Sequence, residues 1–224
     1  MKKIVIIILI LCSIFLLWFF KNGEIGESQK LNISSQIQYS LFVLNTDKYT
    51  AELSFGIRED DFEYDGKSNS KLEYGVLKVF IKGFTGYANK IETVLSIESQ
   101  NYVYELEKNP FDNMFVCDMQ KIINGNKNIQ IQIPLLDEMF YSFENISKNW
   151  KIDYKVALNV GFKELKGFIL ESNNASKSCE IYLTAIDNGR YDTEYFWLFK
   201  VQTSQLKTKI IVIDTKTCEI VLKS

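Results

Sequence analysis

The densest group of chemically useful side chains is an acidic run that begins at Glu59. Five carboxylates fall within seven residues, Glu59, Asp60, Asp61, Glu63 and Asp65. Carboxylate oxygens suit Ca²⁺, a hard cation, but the run has no bidentate Glu at the twelfth position of a calcium loop. We therefore expect a solvated loop over residues 59–71, with Ca²⁺ binding as the alternative.

Paired carboxylates could also perform acid/base hydrolysis of the glycosidase type. Glu98, Glu105 and Asp112 are candidates, but such a pair must lie about 5–9 Å apart, and the sequence alone does not place two of them so. A carboxylate- or metal-dependent cell-surface hydrolase is therefore the alternative function. We assign no catalytic, cofactor-binding or metal-ligating residue.

Several classes of chemistry are excluded by what the sequence lacks. It has no histidine, which excludes Ser-His-Asp and Cys-His mechanisms and imidazole-based metal sites. Neither glycine-rich phosphate-loop pattern occurs. Cys117, Cys179 and Cys218 show neither zinc-ligand spacing nor a disulfide framework. The net charge of −2, with no basic patch, argues against nucleic acid as a partner.

Residues 4–20 form an uncharged apolar run preceded by two lysines. As a helix the run would be about 25 Å long, near the lower limit for crossing a bilayer, and the lysines indicate a cytoplasmic N-terminus. The absence of a small-residue cleavage pattern favours an anchor over a cleaved signal peptide or lipid attachment at Cys12. We expect a membrane anchor over residues 1–21 and a polar stalk over residues 22–35.

Alternation of apolar and polar residues dominates residues 36–136, which we expect to form an antiparallel, sandwich-like β domain. One strand face is predicted to carry Ile37, Tyr39, Leu41 and Val43. The predicted strands cover residues 37–43, 51–57, 77–81, 91–106, 115–117 and 129–133.

The spacing of apolar residues changes from alternation to a helical period at Asp137. We expect residues 137–224 to form a helix packed on an antiparallel sheet. Met139, Phe143, Ile146 and Trp150 have the spacing of one helix face. A second helix is predicted from an Asp153 cap to Ile169, with a continuous apolar stripe. Strands are predicted over residues 179–187, 194–203, 209–213 and 219–222. We expect the aromatic stripe of Tyr195, Trp197 and Phe199 to pack beneath the helix rather than to form a ligand surface.

Three segments of this last unit resemble the PepSY domain, a small helix-on-sheet family. They are Trp150–Leu158 with its Ala-Leu pair, the aromatic strand Tyr195–Phe199, and the ending Ile211–Val221. The family ends in a hairpin with Asp at the start and Gly in a left-handed conformation; here Cys218 replaces the Gly. The resemblance covers residues 150–224 and implies a non-catalytic module of exported and membrane proteins, including inhibitory propeptides of secreted peptidases.

These observations favour a membrane-anchored, extracytoplasmic binding protein without catalytic activity. Its contacts would be the membrane through residues 4–20 and a protein or peptide partner at the cell surface. Exposed sheet edges or loops of the β domain are the expected binding elements, since an edge strand can pair with a partner strand. An inhibitory role toward a peptidase is the narrower expectation from the PepSY resemblance.

Overall fold

The computed structural model describes residues 34–60, 70–119, 128–174, 178–187 and 194–224. Within them the protein is mainly β, with thirteen strands in one hydrogen-bonded sheet and two helices. The strands are β1 (Ser34–Asn45), β2 (Tyr49–Glu59), β3 (Lys71–Ile81), β4 (Lys90–Ile97), β5 (Gln100–Lys108), β6 (Met114–Met119), β7 (Ile129–Gln132), β8 (Tyr141–Ser142), β9 (Glu144–Asn145), β10 (Cys179–Asp187), β11 (Tyr195–Thr203), β12 (Thr208–Asp214) and β13 (Ile220–Lys223). The helices are α1 (Tyr154–Glu164) and α2 (Lys166–Asn174), preceded by a 3₁₀ turn (Ile146–Asn149).

The predicted anchor lies outside the described residues, as do the larger part of the predicted stalk and residues 61–69 of the predicted acidic loop. No helix in the described ranges is long and apolar enough to cross a membrane.

The first nine strands close on themselves. Their order along the sheet is β1-β2-β3-β6-β5-β4-β7-β8, and β9, one residue after β8, returns to pair with β1. At that corner Phe143 donates its backbone N–H to the Ile129 carbonyl at 2.9 Å. The result is a ring of antiparallel pairs around the first hydrophobic core. The fully buried side chains of this core include Tyr49, Leu53, Phe55, Leu77, Leu95, Leu106, Phe115 and Ile131. The predicted antiparallel β structure is confirmed, but its strands belong to one continuous sheet.

The remaining strands extend this sheet from β1 in the order β10-β11-β12-β13. β10 pairs with β1 in parallel, placing Ser34 opposite Ile181 and Ile37 opposite Leu183. Ser34 and Ser35 therefore belong to a buried strand, so the predicted stalk extended two residues too far. Their polar groups suggested a loop, but pairing and hydrogen bonding satisfy those groups inside the structure.

The helices cover one face of β10–β12 and form the second hydrophobic core with it, whereas the residues of β13 are exposed. α1 begins as predicted, because the Asp153 carboxylate accepts a hydrogen bond from the Val156 N–H at 2.9 Å. The predicted apolar stripe is buried, but two helices separated at Leu165 carry it instead of one. The stripe packs against Trp197 and Phe199 of β11, both fully buried.

The helix predicted over residues 137–150 is wrong. That segment forms β8, β9 and the 3₁₀ turn, and its supposed apolar face is split: Phe143 is buried in the first core, whereas Met139 is 62% exposed. The Asp137 carboxylate accepts from the Met139 N–H at 3.1 Å and pairs with Lys48 at 2.7 Å. Such local bonding offers the backbone an alternative to the helix.

The extended stretch predicted over residues 91–106 is a hairpin, β4–β5. Glu98 and Ser99 form its two-residue turn with φ of 48° and 69°. A turn with two positive φ values usually carries Asn-Gly or Asp-Gly, and Glu-Ser gives no such signal. The predicted face of Ile37, Tyr39, Leu41 and Val43 is also interrupted, because β1 has a bulge between Gln38 and Ser40.

The close approach of α1 to the sheet gives a test of the second core. A Cβ built on Gly161 would lie 2.3 Å from Phe199 Cγ. We expect Gly161→Ala to lower the free energy of unfolding by about 1–3 kcal/mol, the usual cost of overpacking a core. Gly167→Ala in α2 is the matched control, since nothing lies within 4 Å of its added methyl group. Urea unfolding of both variants measures the difference, and equal stabilities would contradict this packing.

Candidate functional site

β1 changes partners part-way along one of its edges. Its first half pairs with β10 up to Ile37, and its second half pairs with β9 from Phe42 onward. Between these points the Gln38 side-chain carbonyl accepts from the Thr184 hydroxyl at 2.7 Å and from the Ala185 N–H at 3.1 Å. The sheet thus has two units, the strand ring of β1–β9 and the extension of β10–β13. They diverge at Gln38, and a cleft opens beside it.

The upper part of this cleft has a volume of about 390 Å³. Strands of both units line it: β1, β2, β3 and β6 on one side, and the ends of β10 and β11 on the other. Its walls are mainly polar. Its polar and aromatic lining residues include Gln36, Gln38, Glu52, Tyr74, Lys78, Thr184, Asp187 and Tyr195.

The lower part has a volume of about 320 Å³ and an aromatic wall. Trp150 and Tyr195 lie with ring centroids 5.9 Å apart, and Trp150 also contacts Trp197 edge-on at 4.9 Å. The remaining lining comes mainly from β9, the 3₁₀ turn and the β12–β13 turn. The defining residues of this part are Val43, Glu144, Asn149, Trp150, Tyr195, Thr215 and Lys216.

Hydrogen bonds to backbone carbonyls hold this aromatic wall in place. Trp197 donates its indole N–H to the Ile152 carbonyl at 2.9 Å, and the Ile152 N–H donates to the Thr215 carbonyl at 3.0 Å. The Thr215 hydroxyl in turn donates to the Tyr195 carbonyl at 2.8 Å. The segment that carries Trp150 is thus fixed on β11, so the wall is preformed.

Tyr195 belongs to both parts, which we together call the junction cleft. Burial raises the pKa of the Tyr195 hydroxyl, and the nearby carboxylates of Glu52, Asp187 and Glu144 raise it further. The hydroxyl therefore stays protonated at neutral pH and can donate or accept a hydrogen bond. Two cations also line the cleft, Lys78 and Lys216.

A buried charged cluster lies at the start of β1. Glu59 and Glu180 are 6% and 2% exposed, and both act electrostatically on Lys71, whose pKa burial lowers. The Ser35 hydroxyl donates to the Glu180 carboxylate, and the Lys71 ammonium donates to the Ser34 carbonyl. The cluster joins β1, β2, β3 and β10, so its evident role is to tie the two units together.

The candidate residues predicted from sequence do not assemble into a site. Glu98 and Asp112 flank opposite ends of β5, a nine-residue strand about 30 Å long. Glu105, within β5, pairs with Lys90. Of the acidic run, only Glu59 and Asp60 are described; Glu59 is buried in the charged cluster, so the expected solvated loop does not include it. Across the described part of the chain, no group of three metal-ligating side chains occurs.

The aromatic stripe of β11 divides between two roles. Trp197 and Phe199 are core residues, as predicted, whereas Tyr195 lines the junction cleft. Sequence reasoning missed Gln38 and Glu144, which carry no motif. The sequence did single out Trp150. It is the last residue of the apolar spacing that begins at Met139, and it lies three residues before the Asp153 cap of α1.

The hairpin that ends the chain takes the conformation expected of a glycine despite its cysteine. Cys218 has φ of 67°, the left-handed region. The Asp214 carboxylate accepts from the N–H groups of Lys216 and Thr217 at 2.6 and 3.0 Å and fixes the turn. Cys117, Cys179 and Cys218 are free thiols, and burial raises the pKa of Cys179 to about 11.

Comparison with protein-family models, with curated proteins and with solved structures finds no match to this chain. The PepSY resemblance therefore stays a prediction, and functional inference rests on the sequence and on the residues that the structure describes.

Removal of the lysine tests the charged cluster. We expect Lys71→Met to lower the free energy of unfolding by about 3 kcal/mol at pH 7, because it removes a cation that acts on two buried carboxylates. The deficit relative to the wild type should shrink at pH 4, where protonation of the carboxyls removes that charge. Lys82→Met, at an exposed lysine, is the control and should change stability by less than about 1 kcal/mol. Urea unfolding at both pH values measures this, and a deficit independent of pH would contradict an electrostatic role.

Proposed function

We propose that this chain is a non-catalytic binding protein, anchored in the membrane through residues 4–20, whose extracytoplasmic part receives a protein or peptide partner in the junction cleft. The observation that carries the proposal is the pair of adjoining grooves around Tyr195, with walls from both units. Clefts between structural units are common ligand sites.

The lining indicates the chemistry of the partner. Carboxylates from three elements, Glu52, Glu144 and Asp187, lie near the Tyr195 hydroxyl. Aromatic faces beside carboxylates suit a lysine or arginine side chain, which gains from both ion pairing and the cation–π interaction. Together the two grooves offer about 710 Å³, within the usual range for a ligand site. The proposed partner segment is therefore short and basic.

Binding is favoured over catalysis by how the polar groups of the cleft are used. The Gln38 side chain bonds to β10, and Gln36 donates to the Tyr74 hydroxyl at 2.9 Å. These two amides shape the walls and can act as neither nucleophile nor base, and the carboxylates of the cleft lie around the protonated Tyr195 hydroxyl. The hydrolase alternative has none of Glu98, Glu105 and Asp112 in the cleft. Inhibition of a peptidase, implied by the PepSY resemblance, is a narrower form of the same proposal.

Site-specific photocrosslinking in the cells that express the protein is the test. A photoreactive residue at Glu144, exposed at the cleft, should give a discrete adduct with one partner. The same residue at Glu92, exposed on β4 and absent from the cleft lining, is the matched control and should not. The captured partner can then be assayed for peptidase activity with and without the full chain.

Charge reversal makes this test specific. Glu144→Lys should reduce partner binding at least tenfold, measured by surface plasmon resonance with the captured partner, because it opposes a basic side chain. Glu92→Lys should leave the affinity unchanged. Identical adducts from positions 144 and 92, or equal affinities of the two charge-reversal variants, would contradict the proposal.

A further inference from the structure

A second cavity lies at one end of the strand ring, beside Met114, which lines the upper part of the junction cleft; the two share no lining residue. It has a volume of about 350 Å³ and is lined by the loop between β5 and β6 together with Asn89. Phe111 forms one wall and is 95% exposed. Tyr87, two residues before Asn89, is 99% exposed. These are the two most exposed large apolar side chains among the described residues.

The loop that carries Phe111 is held in shape by its own polar groups. Asn109 accepts from the Phe111 N–H at 3.1 Å and donates to the Asp112 carboxylate at 3.1 Å. Asp112 also accepts from the Met114 N–H at 3.0 Å. A loop fixed in this way presents the aromatic ring in one place, which lowers the entropy cost of binding to it.

The chemistry of the cavity suits a neutral, polyhydroxylated ligand. The side-chain amides of Asn89 and Asn113 make no hydrogen bond to other described residues, so their donors and acceptors are available to sugar hydroxyls. Lys108 and Asp112 contribute one charge of each sign, which favours neither an anion nor a cation. The exposed ring of Phe111 can pack on the apolar C–H face of a sugar.

The position of the cavity argues against a lipid surface as the occupant. Met114, which follows the loop, lies opposite Phe80 near the end of β3. That end of the ring is the end where β1 finishes at Asn45. Ser34, near the end of the predicted stalk, lies at the other end of β1. Twelve residues of extended strand separate the two ends of β1 by about 40 Å. The cavity therefore lies at the end of the ring opposite Ser34, the first described residue after the predicted anchor.

We propose that the β5–β6 loop is a carbohydrate-binding site. An oligosaccharide stacks on Phe111 and is hydrogen-bonded by Asn89 and Asn113. This site is independent of the junction cleft, and either can fail without the other.

Titration of the full chain with cellotetraose and with chitotetraose tests this proposal. The measurement uses saturation-transfer NMR in a detergent without a sugar headgroup, because such a headgroup would compete. At least one tetrasaccharide should bind with a Kd of about 1 mM or tighter. Phe111→Ala should weaken binding at least tenfold, whereas Phe111→Trp, which keeps an aromatic face, should stay within threefold of the wild type.

Met139→Ala removes another exposed apolar side chain outside the cavity and should leave saccharide binding unchanged. Because Phe111 is almost fully exposed, its replacement leaves the core intact, and equal urea unfolding curves should verify this. Absence of saturable binding to both tetrasaccharides overturns the proposal. Saccharide binding by Phe111→Ala that equals the wild type also overturns it. The same holds if the loop binds a protein partner through Phe111 but binds neither saccharide.

Discussion

The structure depends on β1 serving two partners along the same edge. β10 takes the edge as far as Ile37, and β9 takes it from Phe42. Strand β2 occupies the other edge along most of its length. β1 also supplies Ile37 to the second hydrophobic core and Phe42 to the first. Closure of the strand ring and attachment of the helix-covered sheet therefore both require one strand in one register.

The junction cleft is a consequence of this change of partner. Where the edge of β1 changes from β10 to β9, the backbone N–H and C=O groups in between have no paired strand. They need hydrogen bonds from other groups. Here the Gln38 side chain bridges to β10, and the Leu41 N–H donates to the Ser147 hydroxyl at 3.4 Å. The space between these bridges has mainly polar walls in its upper part and an aromatic wall in its lower part. A site at this position needs no dedicated loop, and the residues that build the fold also shape it.

Much of the fold could be predicted because local patterns agreed with tertiary packing. The alternation in β2 buries Ala51, Leu53 and Phe55, and the Asp153 cap begins α1 where expected. Predictions failed where tertiary contacts overrode the pattern. The apolar spacing of residues 139–150 is typical of a helix. The segment is not helical, because the Asp137 side chain bonds to the local backbone and Phe143 is buried in the first core.

The candidate site was less predictable than the fold, for a physical reason. Gln38, Glu144 and Tyr195 are far apart in the sequence and meet only because β1 joins both units. No local spacing encodes that meeting. The parallel pairing of β1 with β10 links residues as far apart in sequence as Ser34 and Ile181, and no motif in either strand marks it. The predicted two-domain division, 36–136 and 137–224, followed the change in period at Asp137, whereas β1 contributes to both hydrophobic cores.

Because β1 belongs to both units, the strand ring and the helix-covered strands should unfold cooperatively. Native-state hydrogen exchange in increasing, sub-denaturing urea measures this most directly, by comparing amides of β2 in the strand ring with amides of β11 beneath the helices. We expect the two sets to converge on one unfolding free energy with the same dependence on urea. Two separate free energies, with β11 opening while β2 stays protected, would contradict the account and would support two independent domains.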